Sequence, residues 1–104
     1  MNLKGSLPTL ILQNLRGGPN HGYRIAQEIK QTSKGVLDFK EGTLYPALHG
    51  LEAKGLIVSS TRMEGGRERR YYKLTEKGKK ALAKERQEWL AVSGAINLML
   101  KEAT

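Results

Sequence analysis

Tyr45, Pro46 and His49 lie within Glu41–Gly55 at a spacing that, at about 100° per residue, gathers them with Gly42 and Ala53 on one side of a helix. Leu44, Leu48 and Leu51 take the opposite side. A helix that needed only solubility would carry Lys and Glu outward, so this side is suited to lie against another surface. The Tyr45 hydroxyl can donate to a phosphate oxygen. Pro46 and the Thr43 methyl offer apolar surface to a thymine methyl. The plainer alternatives are a half-buried core aromatic for Tyr45 and simple start-of-helix roles for Thr43 and Pro46. His49 with Glu52 is the pairing that suggests acid-base chemistry. No nucleophile, third group or phosphate-cradling glycine loop accompanies it, so His49 reads as a surface histidine and the chain is not expected to be an enzyme.

Arginine is the second chemical resource. Between Lys54 and Lys73 stand six basic residues (Lys54, Arg62, Arg67, Arg69, Arg70, Lys73) and two acids (Glu64, Glu68), so this segment holds +4 of the net +8. The whole chain sets 18 Lys and Arg against 10 Asp and Glu, which favours a polyanion, nucleic acid first, over an acidic or neutral partner. With 104 residues and no Cys, a single small domain without disulfides or thiolate metal sites is expected. His21 and His49 are too far apart for a helical ligand pair, so no metal is expected. No apolar run is long enough to span a bilayer and the start does not read as a signal peptide, which points to a cytoplasmic protein.

The elements that must position these residues follow from periodicity. Leu3, Leu7, Leu10, Ile11 and Leu15 recur at helical spacing, with Ser6 and Pro8 near the start and Gly17-Gly18-Pro19 as the stop. Asn20 is the expected N-cap of a second helix to about Thr32, with Ile25, Ala26 and Ile29 inward and Tyr23, Gln27, Lys30 and Lys34 outward. Tyr23 can contact phosphate or pack locally. Val36-Leu37-Asp38-Phe39 alternates like one short strand. Glu41 places negative charge at the start of the organising helix, and Gly55 ends it. Pro46 is tolerable if that helix begins at Gly42 or Thr43. Two β-rich runs around Gly65-Gly66 predict a hairpin. Alternation sends Arg69 and Tyr71 to one face and Arg70 and Tyr72 to the other, leaving Arg67 at the tip.

Thr75 caps a final helix, along which Leu82, Trp89, Val92, Ile96 and Met99 follow at steps of seven, three, four and three. Glu85 interrupts this narrow seam. Its greasy half is too short to stand alone, so a second copy is the economical partner. Trp89 reads as an interface anchor. The sharper reading is that two copies of Trp89 near a two-fold axis hold a flat apolar or aromatic effector.

Helix, helix, short strand, helix, hairpin and long helix make a mainly α winged helix-turn-helix with a small β-hairpin wing and a long C-terminal dimerisation helix. Residues 1–75 form the DNA-binding part and 76–104 the dimerisation helix, within one compact unit. HGYRI, EGTLYPALHGLEAKGLI and GGRERRYYKLTEKGKKAL together resemble the PadR-like transcriptional regulators of bacteria, in the short form with a single C-terminal helix. The resemblance covers nearly the whole chain.

That resemblance implies a homodimeric repressor binding double-stranded DNA, with Thr43, Tyr45, Pro46 and His49 on the recognition helix and Arg67 and Arg69 reaching DNA from the wing. It also implies a dimer built from the last helix packing on the partner's first and last helices, through residues such as Leu7, Leu82, Trp89, Val92, Ile96 and Met99. No cofactor is implied, although a small-molecule inducer is compatible. Gly50 stands where the family commonly has Arg or Lys, and Arg24 where an acid is common. A winged-helix protein-interaction module and an RNA binder are the readings from other classes.

Overall fold

The computed structural model describes residues 3–101, with side chains described from residue 6 onward. The element order is α1 (Leu3–Leu15), β1 (Asn20–His21), α2 (Gly22–Thr32), α3 (Glu41–Ala53), β2 (Ile57–Glu64), β3 (Arg67–Leu74) and α4 (Glu76–Leu100). The three strands form one antiparallel sheet in the order β1-β3-β2. The inward side chain expected of Leu3 and residues 102–104 lie outside the described residues; the last helix, expected over 76–104, ends at Leu100, where Lys101 turns extended.

Apolar spacing on α1 to α3 produces one core. Leu7, Ile11, Leu12 and Leu15 of α1 meet Ile25 and Ile29 of α2 and Leu44, Leu48 and Leu51 of α3, and Ile57, Tyr72 and Leu74 close it from the sheet. Leu10, expected inward, only flanks this core, and Leu12 takes the buried place. Pro8 sits inside α1 rather than at its start.

Asn20 is not the cap of α2. Its backbone pairs with Tyr72, and its amide donates to Asn14 Oδ1 at 3.0 Å and Glu28 Oε1 at 2.9 Å, tying α1 to α2. His21 therefore becomes the N-cap, its Nδ1 accepting from the Arg24 N–H at 3.4 Å. The strand expected at Val36–Phe39 does not form either. Asn20 and His21 have taken the β3 edge, and residues 37–40 instead run irregularly into α3, with Leu37 and Phe39 resting against the core.

α3 begins at Glu41, one residue earlier than the proline argument wanted, so Pro46 lies past the unpaired first turn and withholds one helical bond. Thr43 and Leu44 N–H groups both reach the Lys40 carbonyl, at 2.9 and 3.0 Å, which tightens the entry. The exit matches expectation: Gly55 at φ 73° lets Leu56 N–H return to the Leu51 carbonyl at 3.0 Å and Gly55 N–H to Glu52 at 3.0 Å, a Schellman closure.

Gly65 and Gly66, both at positive φ, make the two-residue turn between β2 and β3, with Glu64 opposite Arg67. α4 then starts at a Thr75 cap whose Oγ1 accepts from Gly78 N–H at 3.0 Å and donates to the Gly55 carbonyl at 2.6 Å. The start of α4 is thereby fastened to the end of α3.

Two residues assigned to the dimer seam are spent within the chain. Leu7 is 1 % and Leu82 3 % exposed, because α1 and the first half of α4 pack on the same core and leave these side chains no surface for a partner. Glu85, which breaks the apolar pattern, accepts from the Thr9 hydroxyl at 2.6 Å and joins α4 to α1. Beyond it, Trp89, Val92, Ile96 and Met99 are all exposed.

Candidate nucleic-acid interface

The outward side of α3 is built as its periodicity requires. With Leu44, Leu48 and Leu51 buried, Tyr45, Pro46 and His49 are left exposed and Thr43 half-buried. Tyr45 is 37 % exposed and lies across the start of α2, where a Cβ on Gly22 would come within 2.9 Å of its hydroxyl oxygen. Its phenol is held by packing against a glycine while its outer edge meets solvent.

Tyr45 also reaches a cleft of about 380 Å³ between the start of α2 and the wing, lined by His21, Gly22, Tyr23, Arg67, Arg69 and Tyr72 among others. Four of the residues expected to bind DNA, Tyr23, Tyr45, Arg67 and Arg69, thus share one cleft. Thr43, Pro46 and His49 stand outside its lining, along α3.

The two wing arginines differ. Arg67 is exposed beside the turn and forms no ion pair among the described residues. Arg69 is engaged at both ends: its Nη1 lies 2.9 Å from His21 Nε2, and its Nε 3.7 Å from Glu64 Oε2. Glu64 also accepts from the Tyr71 hydroxyl, Arg62 stacks 4.2 Å above the Tyr71 ring, and His21 meets that ring edge-on at 5.4 Å. Tyr71 and Tyr72 are both buried, as wing packing demands.

The electrostatics follow from this arrangement. Burial, then the neighbouring Arg69 charge, hold the His21 imidazole below its ordinary pKa. The hydrogen bond to Glu64, reinforced by burial, pushes the Tyr71 phenol up, and burial does the same for Tyr72. His21, Arg62 and Glu64 were not singled out from sequence as site residues. Two-residue hairpin register would have found the latter two, because it puts Arg62 opposite Arg69 and Glu64 opposite Arg67.

Among the described residues no helix is long and apolar enough to cross a membrane, and no three His, Cys, Asp or Glu side chains cluster as a metal site.

Comparisons with known proteins give the family and the fold. Residues 11–84 match the model of the Transcriptional regulator PadR-like family. A transcriptional regulator of Mycobacterium tuberculosis is 42% identical over 77 residues, 74% of this chain and 69% of that protein. The solved structure of a transcriptional regulator from Clostridium thermocellum superposes with a TM-score of 0.86 at 34% identity, covering 93% of this chain and 92% of that one. A PadR family regulator from Clostridium difficile gives 0.81 at 35% identity, over 93% and 100% of the two chains. The chain belongs to the PadR-like family of transcriptional regulators, a non-enzymatic family whose winged helix it shares.

Proposed function

We propose that this regulator is a homodimeric repressor that reads a palindromic operator with α3 and neutralises flanking phosphates with its wing. The observation that carries the reading is the placement of exposed Tyr45, Pro46 and His49 beside a cleft into which Tyr23, Arg67 and Arg69 also open. Thr43 joins them at the α3 entry. Apolar and hydroxyl groups on a helix fit base edges and phosphate in a major groove, and arginines on a hairpin fit the backbone beside it.

The dimer is supported by α4. Residues 89–100 contain no charged side chain, and Trp89, Leu90, Val92, Ile96, Leu98, Met99 and Leu100 are exposed on the single chain. A helix apolar on several sides is suited to burial, and a second copy would supply a two-fold to match that of the operator. Release by a small flat apolar or aromatic effector between paired Trp89 rings is the regulatory part of this reading. The same exposed helix would serve an interaction module for a different protein, and light scattering of the purified chain separates the two: a monomer favours the module.

The test is a salt series of binding to duplex DNA from the chain's own upstream region, beside a scrambled duplex of equal length. Each phosphate neutralised steepens log K against log salt by about 0.9, and a specific site is expected to bind at least about 1,000-fold tighter than the scramble. A steep slope with a large gap supports a self-regulating operator binder. No binding at low salt overturns the DNA reading.

A further inference from the structure

The outer face of the wing places like charges together. Arg62 and Arg69 are directly opposite in the β2–β3 register, on the side that also holds Arg67, Tyr71 and Glu64. Opposed like charges on a sheet repel. Glu64 relieves this from the diagonal position, pairing with Arg69 Nε at 3.7 Å and accepting from the Tyr71 hydroxyl, whose ring carries Arg62 at 4.2 Å. One carboxylate therefore holds the Nε edge of Arg69 directly, beside the His21 contact at Nη1, and Arg62 through a phenol.

This hold is weak. The Arg69 and Glu64 side chains are 38 % and 43 % exposed, and a long pair in that setting is screened by water. A phosphate could offer Arg69 the shorter, bidentate geometry that Glu64 does not. Arg69 meanwhile lines the cleft with Tyr23, Tyr45 and Arg67, at the surface assigned above to DNA.

We propose that Glu64 is an intramolecular stand-in for a DNA phosphate: it occupies Arg69 in the free protein and yields it only where a duplex presents a phosphate at the mouth of the cleft. It lowers affinity for DNA that merely offers charge, and so widens the gap between specific and non-specific binding. This role rests on the DNA-binding reading. It differs from a simple reduction of wing charge, because Glu68, the other wing acid, lines the same cleft but forms no ion pair among the described residues.

The test measures binding of the full chain to a fluorescently labelled mixed-sequence duplex across a salt series. Glu68→Gln removes the same charge from the same wing without freeing Arg69, and serves as the reference. Relative to it, Glu64→Gln is expected to bind roughly two- to fivefold tighter per wing at low salt, the scale of releasing an exposed ion pair. It is also expected to steepen the salt slope by about 0.9 per wing, as one more phosphate contact requires. In an Arg69→Gln background the advantage of Glu64→Gln over Glu68→Gln disappears. Equal behaviour of the two acid variants in the native background, or weaker binding by Glu64→Gln, overturns the proposal while leaving the DNA reading standing. Absence of binding by the unmodified chain at low salt overturns the DNA reading itself, and this role with it.

Discussion

Gly78 lies so close to the Leu56 carbonyl that a Cβ on it would stand 2.0 Å from the oxygen and 3.2 Å from Leu74 Cδ2. The Leu56 carbonyl also accepts from Thr75 N–H at 3.1 Å, and Lys77 Nζ donates to the Lys54 carbonyl at 2.9 Å. The first turn of α4 and the exit of α3 are thus one rigid joint. Backbone atoms cannot yield as the end of a flexible side chain can. Gly78→Ala is expected to destabilise the fold by about 3 kcal/mol or more, read as a lowered denaturant midpoint. A change of less than about 0.5 kcal/mol, the range of ordinary surface substitutions, would show that the joint is loose.

Lys34 is the one described residue other than glycine at positive φ, 56°, in the closing turn of α2. Gly35 N–H returns to the Lys30 carbonyl at 2.8 Å there, so the same closure that Gly55 provides for α3 is made by a side-chain-bearing residue. Relief of the Cβ strain outweighs the extra unfolded-state freedom of glycine. Lys34→Gly is expected to gain about 0.5–1 kcal/mol, visible as a raised melting midpoint.

His21 gives the fold a pH dependence. Burial and Arg69, with a smaller effect of Arg24, lower its pKa from 6.5, while Glu64 and Glu28 oppose this. The unfolded chain therefore takes up a proton near 6.5 and the folded chain only at lower pH. Stability present above that value is lost as pH falls below it. Melting midpoints should decline as pH falls through and below 6.5, and His21→Asn, which keeps a capping side chain, should flatten that decline. An unchanged decline in the variant would assign it to the carboxylates.

Trp89 is 44 % exposed on the free face of α4. If that face is where two copies meet, Trp89→Ala should weaken association by about 2 kcal/mol or more, the scale of an interface anchor, as measured by sedimentation over a dilution series. If both dimerisation and the response of operator binding to flat aromatic compounds are unchanged, the effector site has no support.

Helical periodicity made much of this architecture legible. Leu44, Leu48 and Leu51 needed no partner information to be assigned to the core, and Gly65-Gly66 specified the hairpin turn because positive φ at both positions suits glycine. β1 escaped because two residues carry no period, and the expected strand at Val36–Phe39 showed alternation but the place beside β3 went to Asn20 and His21. Asn20 had the right chemistry for a cap, but a backbone pairing 52 positions away, with Tyr72, decided its role. Glu85 looked like a flaw in the seam because its partner Thr9 is 76 residues distant. On the candidate site, exposure of Tyr45, Pro46 and His49 followed from helical phase, whereas the engagement of Arg69 depended on cross-strand register and on a histidine from another strand.

The joint at Gly78 makes the phase of α4 a fixed quantity. Trp89 lies eleven residues further along, roughly 16 Å of helix, and its bearing about the axis is set by the glycine contact together with buried Leu82 and the Glu85–Thr9 bond, the last fixed points before it. Inserting one residue between Glu85 and Trp89 would swing the apolar stripe by about 100° while α3 stayed in place, whereas a four-residue insertion would nearly restore the bearing, one turn farther out. Length changes in this stretch should accordingly be tolerated in steps close to whole turns, like teeth on a gear.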